Sequence, residues 1–211
     1  MTNKRILIAD DHAAIRIGIK HILKNEYPEM EFGEATNARE VAENLKDQQW
    51  DVVVLDINMP GRNGFDILKQ IRNDKPNVPV LIFSMHPEDQ IGVRALKAGA
   101  SGYLSKESAD TELIRAIKQL LSGKKYVTST IAELLITQLA NPSDKPPHEM
   151  LSNREYQTFI LLATGKSVSQ IATTLSLGVP TISTYRARIL EKMHLKSNAE
   201  LTQYAISNKL I

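Results

Sequence analysis

The sequence predicts an α/β unit, built on a doubly wound five-stranded parallel sheet, joined to an all-α unit of four helices. Three observations predict it. Residues 1–121 alternate short apolar runs with helix-period stripes five times over. The runs VVVL and VPVLIFS are continuously apolar, as strands covered on both faces of a parallel sheet must be. NPSDKPPH then packs three prolines into eight residues, which neither a helix nor a central strand tolerates, and only helical patterns follow it.

Taken in order, RILIA (Arg5–Ala9) is the first buried strand, followed by a helix through Ile15, Ile19, Ile22 and Leu23. EFGEA (Glu31–Ala35) is a weaker strand and Ala38–Leu45 its helix. Val52–Leu55 is the clearest strand; Phe65, Leu68 and Ile71 stripe the helix after it. Val78–Ser84 is the fourth strand, with a helix over Gln90–Ala98. Gly102–Ser105 is the fifth, and Leu113, Ile114, Ile117, Leu120 and Leu121 mark a last helix ending near Gly123. Residues 127–140 are helical, and Asn141–His148 is a linker. Asn153–Thr164, Val168–Leu175, Pro180–Met193 and Asn198–Ser207 form four helices with short connections. The expected domains are 1–122, a linker over 123–147, and 148–211.

Composition excludes several classes. A length of 211 residues is comfortable for two domains. Without cysteine there is no disulfide framework, cysteine zinc site or thiol nucleophile. No apolar stretch approaches the roughly 18 residues that cross a bilayer, and the short run before Asp10 is no signal-peptide core. A cytoplasmic protein without a membrane partner is expected. The net charge of +2 hides an asymmetry. Residues 1–123 carry 16 basic and 18 acidic side chains, net −2, whereas residues 149–211 carry 7 and 4, net +3.

Ligands of open parallel sheets bind at the carboxyl ends of the strands. Asp10 and Asp11 follow the first strand, Asp56 the third and Lys106 the fifth, while Ser84 ends the fourth. Three carboxylates crowded on one edge repel one another and raise one another's pKa values unless a cation is present. A hard divalent ion with oxygen ligands, Mg²⁺ above all, resolves this. His12 is expected to start a helix rather than to bind metal, and Pro60-Gly61 and Asn63-Gly64 to make turns.

ADDH at 9–12, LDINMPGRNG at 55–64, FSM at 83–85 and AGASGYLSK at 98–106 resemble the flavodoxin-like receiver domain of bacterial two-component response regulators over residues 4–122. The resemblance implies that Asp56 accepts a phosphoryl group from a sensor histidine kinase. It implies too that Asp10, Asp11, Asp56 and the backbone carbonyl of Asn58 hold Mg²⁺. Lys106 and Ser84 would meet phosphoryl oxygens, and the rotamer of Tyr103 would follow phosphorylation. Ser84 replaces the threonine of many receivers, and Glu107 stands where many have proline after the lysine, which leaves a cis peptide there in doubt.

Gly165–Met193 reads as helix, short turn, helix, with Ile182, Ile189 and Met193 as the core stripe of the second. Gly178 caps that helix and Pro180 suits its first turn. Thr181, Ser183, Thr184, Tyr185, Arg186, Arg188 and Lys192 cover its remaining surface with donors that phosphates and guanine edges accept. With MLSNRE (150–155) and LKSNAEL (195–201), residues 148–211 resemble the LuxR-type helix-turn-helix domain, and the whole chain a NarL/FixJ-family response regulator. This implies that Pro180–Met193 enters the major groove, with Ser183, Thr184, Ala187 and Arg188 toward base edges. Thr181, Tyr185, Arg186 and Lys192 would hold phosphates. It implies a transcription regulator rather than an enzyme, in which the unphosphorylated receiver limits DNA binding and phosphorylation favours homodimers. Half-sites are expected about 10 bp apart or at a multiple of that spacing.

Rival readings fit less well. An aspartate-nucleophile phosphatase places a second Asp two residues after the nucleophile, where this chain has Asn58. A nucleotide- or flavin-binding module needs a glycine-rich first turn, where this chain has ADDHAA. A protein- or RNA-binding output domain is the third alternative.

Overall fold

The computed structural model describes residues 3–59, 63–140, 146–208 and 210–211. The turn expected at Pro60-Gly61 and the Asn141–Lys145 part of the proline-rich linker lie outside the described residues. The chain divides into two compact units, Met1–Ile136 and Thr137–Ile211. No helix among the described residues is long and apolar enough to cross a membrane.

In the first unit the strands are β1 (Arg5–Ala9), β2 (Glu31–Ala35), β3 (Val52–Leu55), β4 (Val80–Ser84) and β5 (Gly102–Ser105). They pair in parallel in the order β2-β1-β3-β4-β5. The helices between them are α1 (Ala13–Glu26), α2 (Ala38–Asp47), α3 (Gly64–Asp74) and α4 (Glu88–Lys97), and α5 (Ala109–Leu121) follows β5. Strand side chains alternate between faces. Ile6, Ile8, Val52, Val54, Leu81, Phe83 and Leu104 therefore share one face, packed with Ile19 and Leu23 of α1 and Leu113, Ile117 and Leu120 of α5. Leu7, Val53, Leu55, Ile82 and Tyr103 point to the other, and all five are fully buried. Burial on both faces explains why β3 and β4 read as unbroken apolar runs, whereas the edge strand β2 keeps exposed and half-buried positions.

The first unit runs past the expected boundary at residue 122. Tyr126 is 2% exposed and its backbone N–H donates to the Ser101 carbonyl at 2.9 Å, so it bridges the free edge of β5 beside Gly102. A further helix, α6 (Ser129–Ala140), begins with Ile131 fully buried in this unit. The segment expected as linker therefore starts as part of the sheet unit, because an aromatic ring and an isoleucine are buried there.

The second unit holds α7 (Asn153–Ala163), α8 (Val168–Leu175), α9 (Val179–Lys192) and α10 (Asn198–Ser207). Serines cap three of its four helices, and Gly178 starts α9 without a side-chain cap. Ser152 and Ser167 make reciprocal capping boxes with Glu155 and Gln170, and Ser197 accepts from the Glu200 N–H. Phe159, Ile171, Ile182, Ile189 and Leu201 are fully buried at its centre.

Two substitutions test the units separately. Ile82→Ala is expected to destabilise the first unit by about 2–5 kcal/mol, read from Trp50 fluorescence in urea. Ser152→Ala should cost the second unit about 1 kcal/mol, read by circular dichroism, and leave the Trp50 transition in place.

Candidate functional site

The carboxyl ends of β1, β3, β4 and β5 bring the expected residues together. The strand order reverses between β1 and β3, and Asp10 and Asp56 follow those two strands. Each is fixed by its backbone, Asp10 N–H to the Ala35 carbonyl at 3.0 Å and Asp56 N–H to the Ala9 carbonyl at 2.8 Å. Both are buried, at 1% and 2% exposure. From the end of β5, Lys106 places its ammonium 2.6 Å from Asp10 Oδ2 and 2.9 Å from Asp56 Oδ2, with its own side chain 5% exposed.

Burial pushes the Asp56 carboxyl above its ordinary value; Lys106 and the Asn58 N–H, which donates to Oδ1 at 3.1 Å, only partly offset this, and Asp10 adds to it. Burial alone would lower Lys106, but the hydrogen bond to Asp10 and the charge of Asp56 outweigh it and hold the ammonium firmly protonated.

One ammonium does not balance three carboxylates. Ligand atoms of Asp10, Asp11, His12 and Asp56 lie within 4.8 Å of one another. Asp11 Oδ1 is buried and receives no hydrogen bond, although His12 Nδ1 is 3.0 Å away. An excess of negative charge and a buried oxygen without a donor fit a hard divalent cation. His12 does start α1, at its N-cap, but its side chain makes no cap. The imidazole turns to the acidic pair instead, its Nδ1 3.2 Å from Asp10 Oδ1.

Ser84, fully buried at the end of β4, accepts the His86 N–H at 3.3 Å. Tyr103, fully buried on β5, donates its hydroxyl to the His86 carbonyl at 2.6 Å. Burial raises the Tyr103 hydroxyl's pKa despite a hydrogen bond with Ser84. The His86 peptide thus links Ser84 to Tyr103, a connection that sequence reasoning missed. Its only signal was a polar residue two positions after Ser84. Burial lowers the His86 imidazole against the opposing charge of Asp56. Glu107 follows Lys106 in a short 3₁₀ turn, and no cis peptide occurs among the described residues.

On α9, Ile182 and Ile189 face the core, whereas Thr181, Ser183, Thr184, Ala187 and Arg188 are exposed along the opposite side. Three expected phosphate contacts sit differently. Tyr185 is half-buried; Arg186 Nε donates to Asn198 Oδ1 at 2.7 Å; Lys192 Nζ binds Glu155 Oε2 at 2.7 Å. Burial would raise Glu155, but Lys192 and Ser152 bring its carboxyl below the ordinary value, so the pair ties α9 to the start of α7.

Comparison with known proteins gives two family matches. Residues 6–118 match the response regulator receiver domain, and residues 149–205 match the bacterial regulatory proteins of the luxR family. Response regulator UvrY of Escherichia coli strain K12 is 32% identical over 206 residues, 97% of this chain and 94% of UvrY. Response regulator GacA of Pseudomonas protegens is 31% identical over 207 residues, 98% and 97% of the two chains. The structure of RcsB from Salmonella enterica serovar Typhimurium, bound to promoter P1flhDC in the presence of the phosphomimetic BeF3⁻, aligns with a TM-score of 0.69 at 25% identity. That alignment covers 98% of this chain and all of that one.

The raised Asp56 carboxyl has a consequence for stability. A carboxyl raised in the folded state binds its proton more tightly there, so its contribution favours folding at low pH and is lost as pH rises through the raised value. In buffer free of divalent cations, Asp56→Asn is expected to need more urea than wild type to unfold at pH 7. Its stability should also fall less between pH 4 and pH 7; a less stable variant at pH 7 contradicts the electrostatic reading.

Proposed function

Because this chain belongs to the NarL/FixJ family of two-component response regulators, DNA-binding transcription regulators with a receiver and a LuxR-type domain, we propose that Asp56 is its phosphoacceptor and that phosphorylation controls DNA binding by α9. The observation that carries this is the buried Lys106 ammonium held between Asp10 and Asp56.

The donor is a phosphohistidine of a sensor kinase. An Asp56 carboxylate oxygen attacks phosphorus; the P–O bond forms, the P–N bond breaks, and the released imidazole nitrogen takes a proton. A carboxylate is a weak nucleophile, but the donor is activated, so positioning and charge neutralisation suffice. Asp10, Asp11, Asp56 and the backbone carbonyl of Asn58 would hold Mg²⁺, which supplies the positive charge that lets phosphoryl oxygens approach a carboxylate cluster. Lys106 then moves its ammonium from the Asp56 carboxylate to a phosphoryl oxygen, and the Ser84 hydroxyl donates to another. The acyl phosphate adds roughly −1.5 to −2 of charge, by analogy with other phosphorylated side chains. Ser84 shifts toward that charge, and the His86 peptide and Tyr103 follow because they are hydrogen-bonded together.

In the second unit, the exposed Ser183, Thr184, Ala187 and Arg188 face base edges, and Thr181 stands beside them for phosphate. Tyr185 and Arg186 contribute from the margin, whereas Lys192 holds the unit together through Glu155. Promoter-bound RcsB supports a DNA reading of this helix. A net charge of +3 over residues 149–211 gives one copy little nonspecific affinity, so two copies on paired half-sites supply the strength.

Incubation with acetyl phosphate and Mg²⁺, read by intact mass, tests the acceptor. Wild type gains one phosphoryl group and Asp56→Asn gains none; full labelling of the variant sinks the assignment. On the DNA side, Arg188→Ala should cost about 1–3 kcal/mol in binding to DNA enriched from a random duplex pool. Lys192→Met should instead lower the melting temperature of the second unit. Equal loss of DNA binding by both, without that melting shift, contradicts the division of roles.

A further inference from the structure

Tyr103 does not end its contacts at the phosphorylation pocket. On α4, Gly92 leaves a gap where a Cβ would meet Ile131 Cδ1 at 2.6 Å and Cγ1 at 2.8 Å, with Tyr103 Cδ1 at 3.7 Å. Ile131 belongs to the first turn of α6 and, like Tyr103, is fully buried. One missing side chain thus makes room for the first turn of α6 at the point on α4 that also faces the ring whose hydroxyl is tied, through His86, to Ser84.

The chain around this seat is held at independent points. The Thr128 hydroxyl donates to Glu88 Oε2 at 2.8 Å, at the start of α4, and accepts the Ile131 N–H at 3.3 Å. The Tyr126 hydroxyl donates to Glu112 Oε2 of α5 at 2.6 Å. Beside it Gly102 leaves no room for a Cβ, which would stand 2.9 Å from Tyr126 Cβ. Residues 126–131 therefore lie along β5 and against the N-terminal halves of α4 and α5. Close-packed interiors pass displacement on rather than absorb it, so a shift of the Tyr103 ring reaches the space at Gly92 that Ile131 also borders. From there α6 runs on to Ala140.

We propose that Gly92 and Ile131 are positioning residues that convert the state of Ser84 and Tyr103 into the seating of α6. The proposal rests on Asp56 being the phosphoacceptor. It assigns a use to the absence of a side chain at Gly92: any larger residue holds α6 off its seat and uncouples it from the pocket. Ile131 acts through Tyr103 and Gly92, touching neither the phosphoryl group nor the metal ligands.

Hydrogen exchange on the full chain, with Mg²⁺ alone and with Mg²⁺ plus beryllium fluoride, reads the coupling, and ¹⁹F NMR reads occupancy of the pocket. In wild type, amides 131–136 should change their exchange about ten-fold when the pocket fills, as a local opening equilibrium shifts. In Gly92→Ala and in Ile131→Val the ¹⁹F signal of bound beryllofluoride should persist, while the exchange response falls below about two-fold. Ile131→Val removes one buried methyl group and keeps the test available should Gly92→Ala fail to fold. A wild-type-sized response in Ile131→Val, or a filled pocket without any response in wild type, overturns the proposal while leaving Asp56 as acceptor. Absence of bound beryllofluoride in wild type overturns the acceptor reading itself and this coupling with it.

Discussion

Everything in the first unit is arranged around one ammonium shared by two buried carboxylates. Placing Asp10, Asp56 and Lys106 in a low-dielectric site is costly, and a buried ion pair is poor evidence of stability. The chain accepts the cost at the strand order's reversal point, where two backbone hydrogen bonds fix the carboxylates before any side chain contributes. The compensation is incomplete by design: the Asp56 carboxyl remains raised although Lys106 is 2.9 Å away. A site that already holds excess negative charge is poised to take a cation and then an anion, which is the order a phosphoryl acceptor requires.

The state of that pocket has a physical route outward because the interior leaves little slack. Ser84, the His86 peptide and Tyr103 form one hydrogen-bonded chain across the ends of β4 and β5. The start of α6 and the same ring both border the space at Gly92 where a Cβ would stand. The second unit is built on different principles, with serine caps starting α7, α8 and α10 and the Glu155–Lys192 pair tying α9 to α7. That pair frees the rest of α9 to present an exposed face of hydroxyls and one guanidinium.

Much of this was legible in the residues. Continuous apolar runs located β3 and β4 because both their faces are covered, and strand ends located Asp10, Asp56, Ser84 and Lys106 because a parallel sheet gathers them on one edge. A core stripe at i, i+7 and i+11, with Gly178 and Pro180 at its start, located the helix that became α9. What escaped was set by packing rather than by period. Tyr126 and Ile131 follow a helix and precede a proline-rich stretch, so they resemble linker; only the edge of β5 and the gap at Gly92 bury them. The contacts of Arg186 with Asn198 and of Lys192 with Glu155 were not legible either, because those partners are distant in sequence. His12 was placed correctly at a helix start, yet the direction of its imidazole depends on where Asp10 and Asp11 lie.

If Asp56 is the phosphoacceptor, the buried charge constellation around it governs where the second unit binds on DNA. A genome-wide map of DNA occupancy, comparing wild type with Asp56→Asn expressed at equal levels in the native cell under kinase-activating conditions, tests it most directly. Discrete sites occupied by wild type and lost or strongly depleted in the variant are the predicted result. Identical maps at equal protein level would contradict the account.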